Sequence, residues 1–100
     1  MRNWQRLPQD EGHGEKYYFT GKVYLSQGVN SELSPAEILF IYWDLRAFAE
    51  VMNGIDYLQI YVNEHGSKLY VIDNISPSMI VTGEYNPEDN YCTLLWAYEY

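Results

Sequence analysis

SPAEILFIYWDLRAFAEVMN, residues 34–53, decides the fold. It is the one long segment with the signature of a helix, and the apolar segments after it are short and alternating. Ser34 stands where an N-cap hydroxyl accepts from the free N–H groups of the first turn. Pro35 follows at the first helical position, where its missing N–H costs nothing. Glu37, three residues after Ser34, completes a capping box, and Leu33 and Ile38 occupy the positions of a hydrophobic staple. Asn53-Gly54 tolerates the left-handed backbone that ends many helices. At about 100° per residue, Ile38, Ile41, Tyr42, Leu45, Phe48, Ala49 and Met52 share one stripe, expected to face the core. Asp44, Arg46 and Glu50 mark the opposite side, but so do Leu39, Phe40, Trp43 and Val51. A helix apolar around most of its circumference is covered on more than one side. Two readings follow. Either the N-terminal arm folds over the second side, or an exposed patch there binds a partner or a second copy. Leu39 and Trp43 are the candidate contact residues of that patch.

Composition narrows the classes. One hundred residues, 47% of them apolar, make one domain with a core that needs no staples, and not a disordered chain. No apolar run has membrane-spanning length, and no basic-then-apolar leader opens the sequence. The only cysteine is Cys92, so no internal disulfide forms, which agrees with a cytoplasmic setting. The net charge is −8, and it is uneven. From Ala47 onward eight carboxylates face one lysine, Lys68, a net of −7. Such a field disfavours direct binding to a phosphate backbone and favours docking on a basic protein surface, where it also speeds encounter. Eleven tyrosines add large, stiff, amphipathic side chains of the kind enriched in strands and at interfaces.

Residues 1–15 lack periodicity and carry Pro8, Gly12 and Gly14. They read as a flexible N-terminal arm, with Trp4 and Leu7 able to anchor it and His13 a solvated loop residue. Residues 16–100 read as a single α+β domain. Residues 17–25 are expected to form a strand, with Gly21 marking a bulge or the close approach of another backbone. Gly28 to Leu33 connects to the helix. Asp56 to Asn63 alternates, placing Leu58, Ile60 and Val62 on one face and Tyr57, Gln59 and Tyr61 on the other. The core face is assigned to the aliphatic set, and the second face to Tyr57, Tyr61 and Tyr70. Glu64-His65-Gly66 is a hairpin loop, and residues 68–73 return as the next strand. Residues 79–85 and 91–98 complete the set, separated by the turn Asn86-Pro87-Glu88-Asp89-Asn90. The expected order is β-α-β-β-β-β: one amphipathic helix packed on a mainly antiparallel sheet of about five strands.

Two stretches, GKVYLSQGVNSEL (21–33) and VIDNISPSMIVTGEYNPEDNYCTLLWAYEY (71–100), resemble a family of small uncharacterised proteins. These are domains of unknown function carried by bacterial chromosomes, plasmids and phages. The resemblance rests on Gly21 to Val29, Ile72-Asp73, Asn86 to Asp89, Thr93-Leu94-Leu95 and the final Glu99-Tyr100. The family's central acidic-histidine stretch is answered here only by Asn63-Glu64-His65-Gly66. What the resemblance implies is a bacterial or mobile-element setting with no activity attached.

Chemistry is thinly represented. A nucleophile–base pair needs Cys92 beside His13 or His65, but Cys92 lies among strand leucines, where a thiol is buried and inert. Glu64, His65 and Asp73 lack the spacing of metal ligands. Glu88 and Asp89 in a proline turn read as solvated acids. No phosphate-binding glycine loop is present. No catalytic residue, metal or cofactor is therefore expected. The best reading is a non-enzymatic acidic inhibitor that binds a protein partner with a basic surface. Anti-CRISPR and anti-restriction proteins of mobile elements are of this kind, with carboxylates standing where phosphates stand. Leu39, Trp43, Tyr57, Tyr61, Glu84, Glu88 and Asp89 are its expected contact residues. A homodimeric scaffold is the alternative, and a small hydrolase or ligand-binding domain comes third.

Overall fold

The computed structural model describes residues 3–9 and 14–100. Its five strands are β1 (Trp4–Arg6), β2 (Lys22–Leu25), β3 (Leu58–Asn63), β4 (Lys68–Asp73) and β5 (Tyr91–Trp96). They form one sheet in the order β1-β3-β4-β5-β2. All neighbours run antiparallel except β2, which lies parallel to β5. Three helices, α1 (Gln27–Glu32), α2 (Pro35–Val51) and α3 (Pro77–Val81), complete an α+β domain.

The start of α2 forms as its sequence dictates. The Ser34 hydroxyl accepts from the Glu37 N–H at 3.2 Å, and Glu37 Oε1 accepts from the Ser34 N–H at 3.0 Å. Glu37 also does something the box does not require. Its other oxygen accepts the Trp4 indole N–H at 2.9 Å, so one buried carboxylate caps the helix and ties β1 to it. Ile41, Leu45 and Ala49 are fully buried, with Ile38, Tyr42 and Phe48 packed beside them. Met52 departs from the expected stripe: α2 ends at Val51, and Met52, its C-cap, is 44% exposed. Asn53 follows in the left-handed conformation (φ 55°).

Several expected elements are corrected. Trp4–Arg6 is a strand paired with β3, so the N-terminal arm is in part the edge of the sheet, and Trp4 is its buried anchor. His13 lies outside the described residues. The strand expected over 17–25 is confined to its end. Tyr17 makes one bridge to Ile55, and the buried Phe19 turns the chain at φ 56°. Gly21 meets the expected close approach, since a Cβ there would lie 2.5 Å from the Asn90 carbonyl oxygen. The connection over 28–33 is α1, opened by Ser26, whose hydroxyl accepts from the Val29 N–H at 3.1 Å. Residues 79–85 form no strand. Ser76 and Pro77 open α3 there with the same Ser-Pro pair that opens α2.

The largest correction concerns which side of the sheet is covered. In β3 it is Gln59, Tyr61 and Asn63 that are buried under the helices, together with Leu69, Val71 and Asp73 of β4 and Cys92, Leu94 and Trp96 of β5. Leu58, Ile60 and Val62 point the other way and are partly exposed. The polar residues tolerate burial because each reaches a partner. Tyr61 Oη donates to Asp44 Oδ2 at 2.7 Å, Gln59 Nε2 donates to the Asp56 carbonyl, and Asn63 Oδ1 accepts the His65 and Ser67 N–H groups that shape the hairpin.

Candidate protein-binding surfaces

The outer face of α2 carries Leu39, Phe40, Trp43 and Val51, exposed by 55%, 43%, 63% and 82%. Leu39, Trp43, Ala47 and Val51 follow at four-residue steps and so form one continuous apolar ridge. Nothing among the described residues covers it. Both candidates on this helix, Leu39 and Trp43, therefore stand in solvent, and the alternative of a covering N-terminal arm fails for the described part of that arm, which joins the sheet instead.

Glu84, Glu88 and Asp89 are all exposed. They lie on the excursion between β4 and β5 that carries α3 and a short 3-10 turn, Pro87–Asp89. Met79, Val81 and Tyr85 are exposed on the same excursion. Acids and exposed apolar side chains thus share one segment, a pairing hidden from the sequence by the strand assigned to 79–85. The turn acids are only lightly engaged: Asp89 Oδ2 accepts the Asn86 N–H at 3.3 Å.

The two tyrosine candidates separate. Tyr57 is 41% exposed at the entrance to β3, with its ring 6.1 Å from that of Tyr17. Tyr61 is not a surface residue. It is fully buried, its hydroxyl is bound by Asp44, and burial pushes the phenol far above its ordinary pKa. Arg6 approaches the same carboxylate, Nε to Oδ2 at 3.7 Å, and lies over the Phe48 ring. Asp44, Tyr61 and Arg6 therefore clamp α2, β3 and β1 together. Tyr61 leaves the list of contact residues.

Cys92 and Asp73 lie inside the core. The Cys92 thiol is buried and pushed up to about 12 by desolvation first and the nearby Asp73 second, which makes it a poor nucleophile. Asp73 Oδ2 accepts the Phe19 N–H at 3.1 Å, while Oδ1 is buried without a hydrogen-bond partner among the described residues. Burial raises this carboxyl to about 6 against the opposing pull of the Phe19 N–H and of Arg46. Glu64 and His65 sit 3.7 Å apart in the hairpin, and Asp73 is at the far end of β4 from them. No group of three or more His, Cys, Asp or Glu residues placed to hold a metal occurs among the described residues. No helix of the described residues is long and apolar enough to cross a membrane. A cleft of about 350 Å³ opens at the ends of β4 and β5, lined by Glu32, Ser67, Lys68, Trp96, Ala97 and Tyr98. Its wall is mainly aromatic and aliphatic, with Glu32, Ser67 and Lys68 as its polar members.

The chain matches no protein-family model, no curated protein and no solved structure.

Proposed function

We propose that this chain is a non-enzymatic protein-binding domain that docks on a basic protein surface. The observation that carries the proposal is the bare ridge of Leu39, Trp43 and Val51 on α2. An exposed tryptophan inside a continuous apolar stripe is what a binding hot spot requires, and a lone folded chain gains nothing from it. The charge of −8 supplies the sign of the partner. Glu84, Glu88 and Asp89, carried with Met79, Val81 and Tyr85 on one segment, supply a second contact in which carboxylates attract at long range and apolar groups hold at short range. Exposed charge pairs alone contribute only ~0–1 kcal/mol each, so both kinds of contact are needed.

In its sharper form the proposal is of an inhibitor that occupies the nucleic-acid-binding surface of a host factor, as anti-CRISPR and anti-restriction proteins do. That setting is the one implied by the resemblance of residues 21–33 and 71–100 to a mobile-element family, and it is part of the proposal. The test is capture from lysate at low salt followed by competition. The captured partner is expected to be basic and to lose its nucleic acid when this chain is added at equal concentration. Replacing Glu84, Glu88 and Asp89 by Gln, Gln and Asn should slow association and flatten its salt dependence in stopped-flow measurements. An unchanged rate and salt slope would assign those acids to solubility alone, and the mimicry would be abandoned.

A further inference from the structure

The face of the sheet away from the helices has an unusual composition for so acidic a chain. Register places Ile60, Tyr70 and Leu95 side by side across β3, β4 and β5, and Leu58 and Ile72 form the next row. These residues are partly exposed, and the C-terminal Tyr100 packs edge-on against Tyr70 among them, ring centroids 5.4 Å apart. Tyr24 and Tyr91 pair at one end with ring centroids 5.0 Å apart. No strand residue on this face is acidic, and two of the chain's cations, Lys22 and Lys68, lie on it. A chain of net charge −8 therefore has one sheet face whose strand residues include no carboxylate.

We propose that two copies of this chain associate through this sheet face. The charge distribution selects a second copy as the occupant. Two strongly acidic chains repel across most orientations, but across this face no strand carboxylates meet. Instead Lys68 of each copy can reach Glu64 of the other, which lines a cleft with Gln5 and Val62 of the same face. The apolar rows fill the centre, and the tyrosines give stiff, amphipathic area, the composition expected of an interface. Size sets the strength. Five strands at ~4.8 Å spacing and about five residues of length span roughly 24 by 16 Å, or about 400 Å² per copy. A standard interface buries about 800 Å² per partner, so this dimer is a weak, reversible one.

The prediction has an unusual sign. Docking on a basic partner weakens with salt, whereas association of two like-charged copies strengthens as salt screens their repulsion. Sedimentation equilibrium from about 10 to about 500 µM, at about 50 mM and about 500 mM salt, is the test. The expected result is a monomer–dimer equilibrium whose Kd falls severalfold at the higher salt. Ile60→Lys should raise Kd at least tenfold while keeping the wild-type circular dichroism and melting transition, and Trp43→Glu should leave it unchanged. If Ile60→Lys does not fold, Leu58→Lys at the strand end provides the same readout. A chain monomeric at every concentration would overturn the proposal. So would a dimer dispersed by Trp43→Glu and indifferent to the sheet-face variants, since that result would move the interface to α2. The inference is independent of partner docking, which the same salt series reads with the opposite sign.

Discussion

The two faces of the sheet use their side chains in opposite ways. The covered face includes a tyrosine, a glutamine, an asparagine and an aspartate, all buried beneath the helices. The open face presents isoleucines, leucines and valine to partial exposure. Burial here follows the position of the helices and not the polarity of the residue. On the covered side each polar tip is fixed by a directional bond, so the polar residues specify how helix and sheet dock. On the open side nothing directional restrains the aliphatic groups, and they remain available for association.

Adjacent residues of β3 test this contrast most strongly. Tyr61→Ala should destabilise by about 3–5 kcal/mol, because it empties a fully buried aromatic site and strands Asp44 and Arg6. Ile60→Ala, one residue away on the open face, should cost about 1 kcal/mol. Denaturant midpoints of the two variants measure the contrast directly, and equal costs would show that the faces are energetically alike.

A smaller effect, of opposite sign, is expected at Asp73. Its carboxyl titrates at about 6 in the fold because burial disfavours the charge, while the unfolded chain keeps an ordinary value near 4. Between these values the folded chain holds a proton that the unfolded chain has released. Stability from this group is therefore gained as pH falls from above 6 toward 4, and lost as pH rises through about 6. Asp73→Asn keeps an acceptor for the Phe19 N–H and removes the buried charge. It should add about 1–2 kcal/mol at pH 8 and, by difference from wild type, abolish the stability step near pH 6. Urea titrations at a series of pH values decide it.

Ser34→Ala should cost about 1 kcal/mol, the usual loss for an N-cap hydroxyl. Measured in the same denaturant experiment, it separates the helix cap from the second grip that Glu37 has on Trp4. Trp43→Glu should change stability by no more than about 0.5 kcal/mol, since the side chain stands on the outer face of α2. It should nevertheless abolish partner capture. A large loss of stability would place Trp43 among the structural residues and remove the carrier of the proposed function.

What the sequence made legible was local. The start of α2 is encoded within four residues, and the ridge of Leu39 and Trp43 follows from the helical repeat alone. The same Ser-Pro grammar opens α3, but the β-branched run Ile80-Val81-Thr82 competes with it, and the nearby Gly83 (φ 85°) marks how soon the segment turns. The covered face of β3 was not legible because its reasons are distant: Asp44, which accepts from Tyr61, is 17 positions away. Nor was β1, a three-residue strand whose partners begin more than fifty residues downstream. Of the expected contact residues, those on α2 and on the turn are displayed as local patterns imply, whereas Tyr61 required the tertiary partner that buries it.

The hold of Glu37 on Trp4 has a further consequence, for solution behaviour. β1 is a three-residue plug over the outer edge of β3. Strand edges are templates for pairing with other chains, and proteins that leave them bare tend to aggregate. Here the guard is short, and beside its pairing with β3 and the contact of Arg6 with Asp44, one of its fastenings is a hydrogen bond from an indole to a helix-capping carboxylate. Colloidal shelf life is thereby coupled to a helix cap: whatever loosens the first turn of α2 also removes one of the bonds that keep the edge of β3 covered.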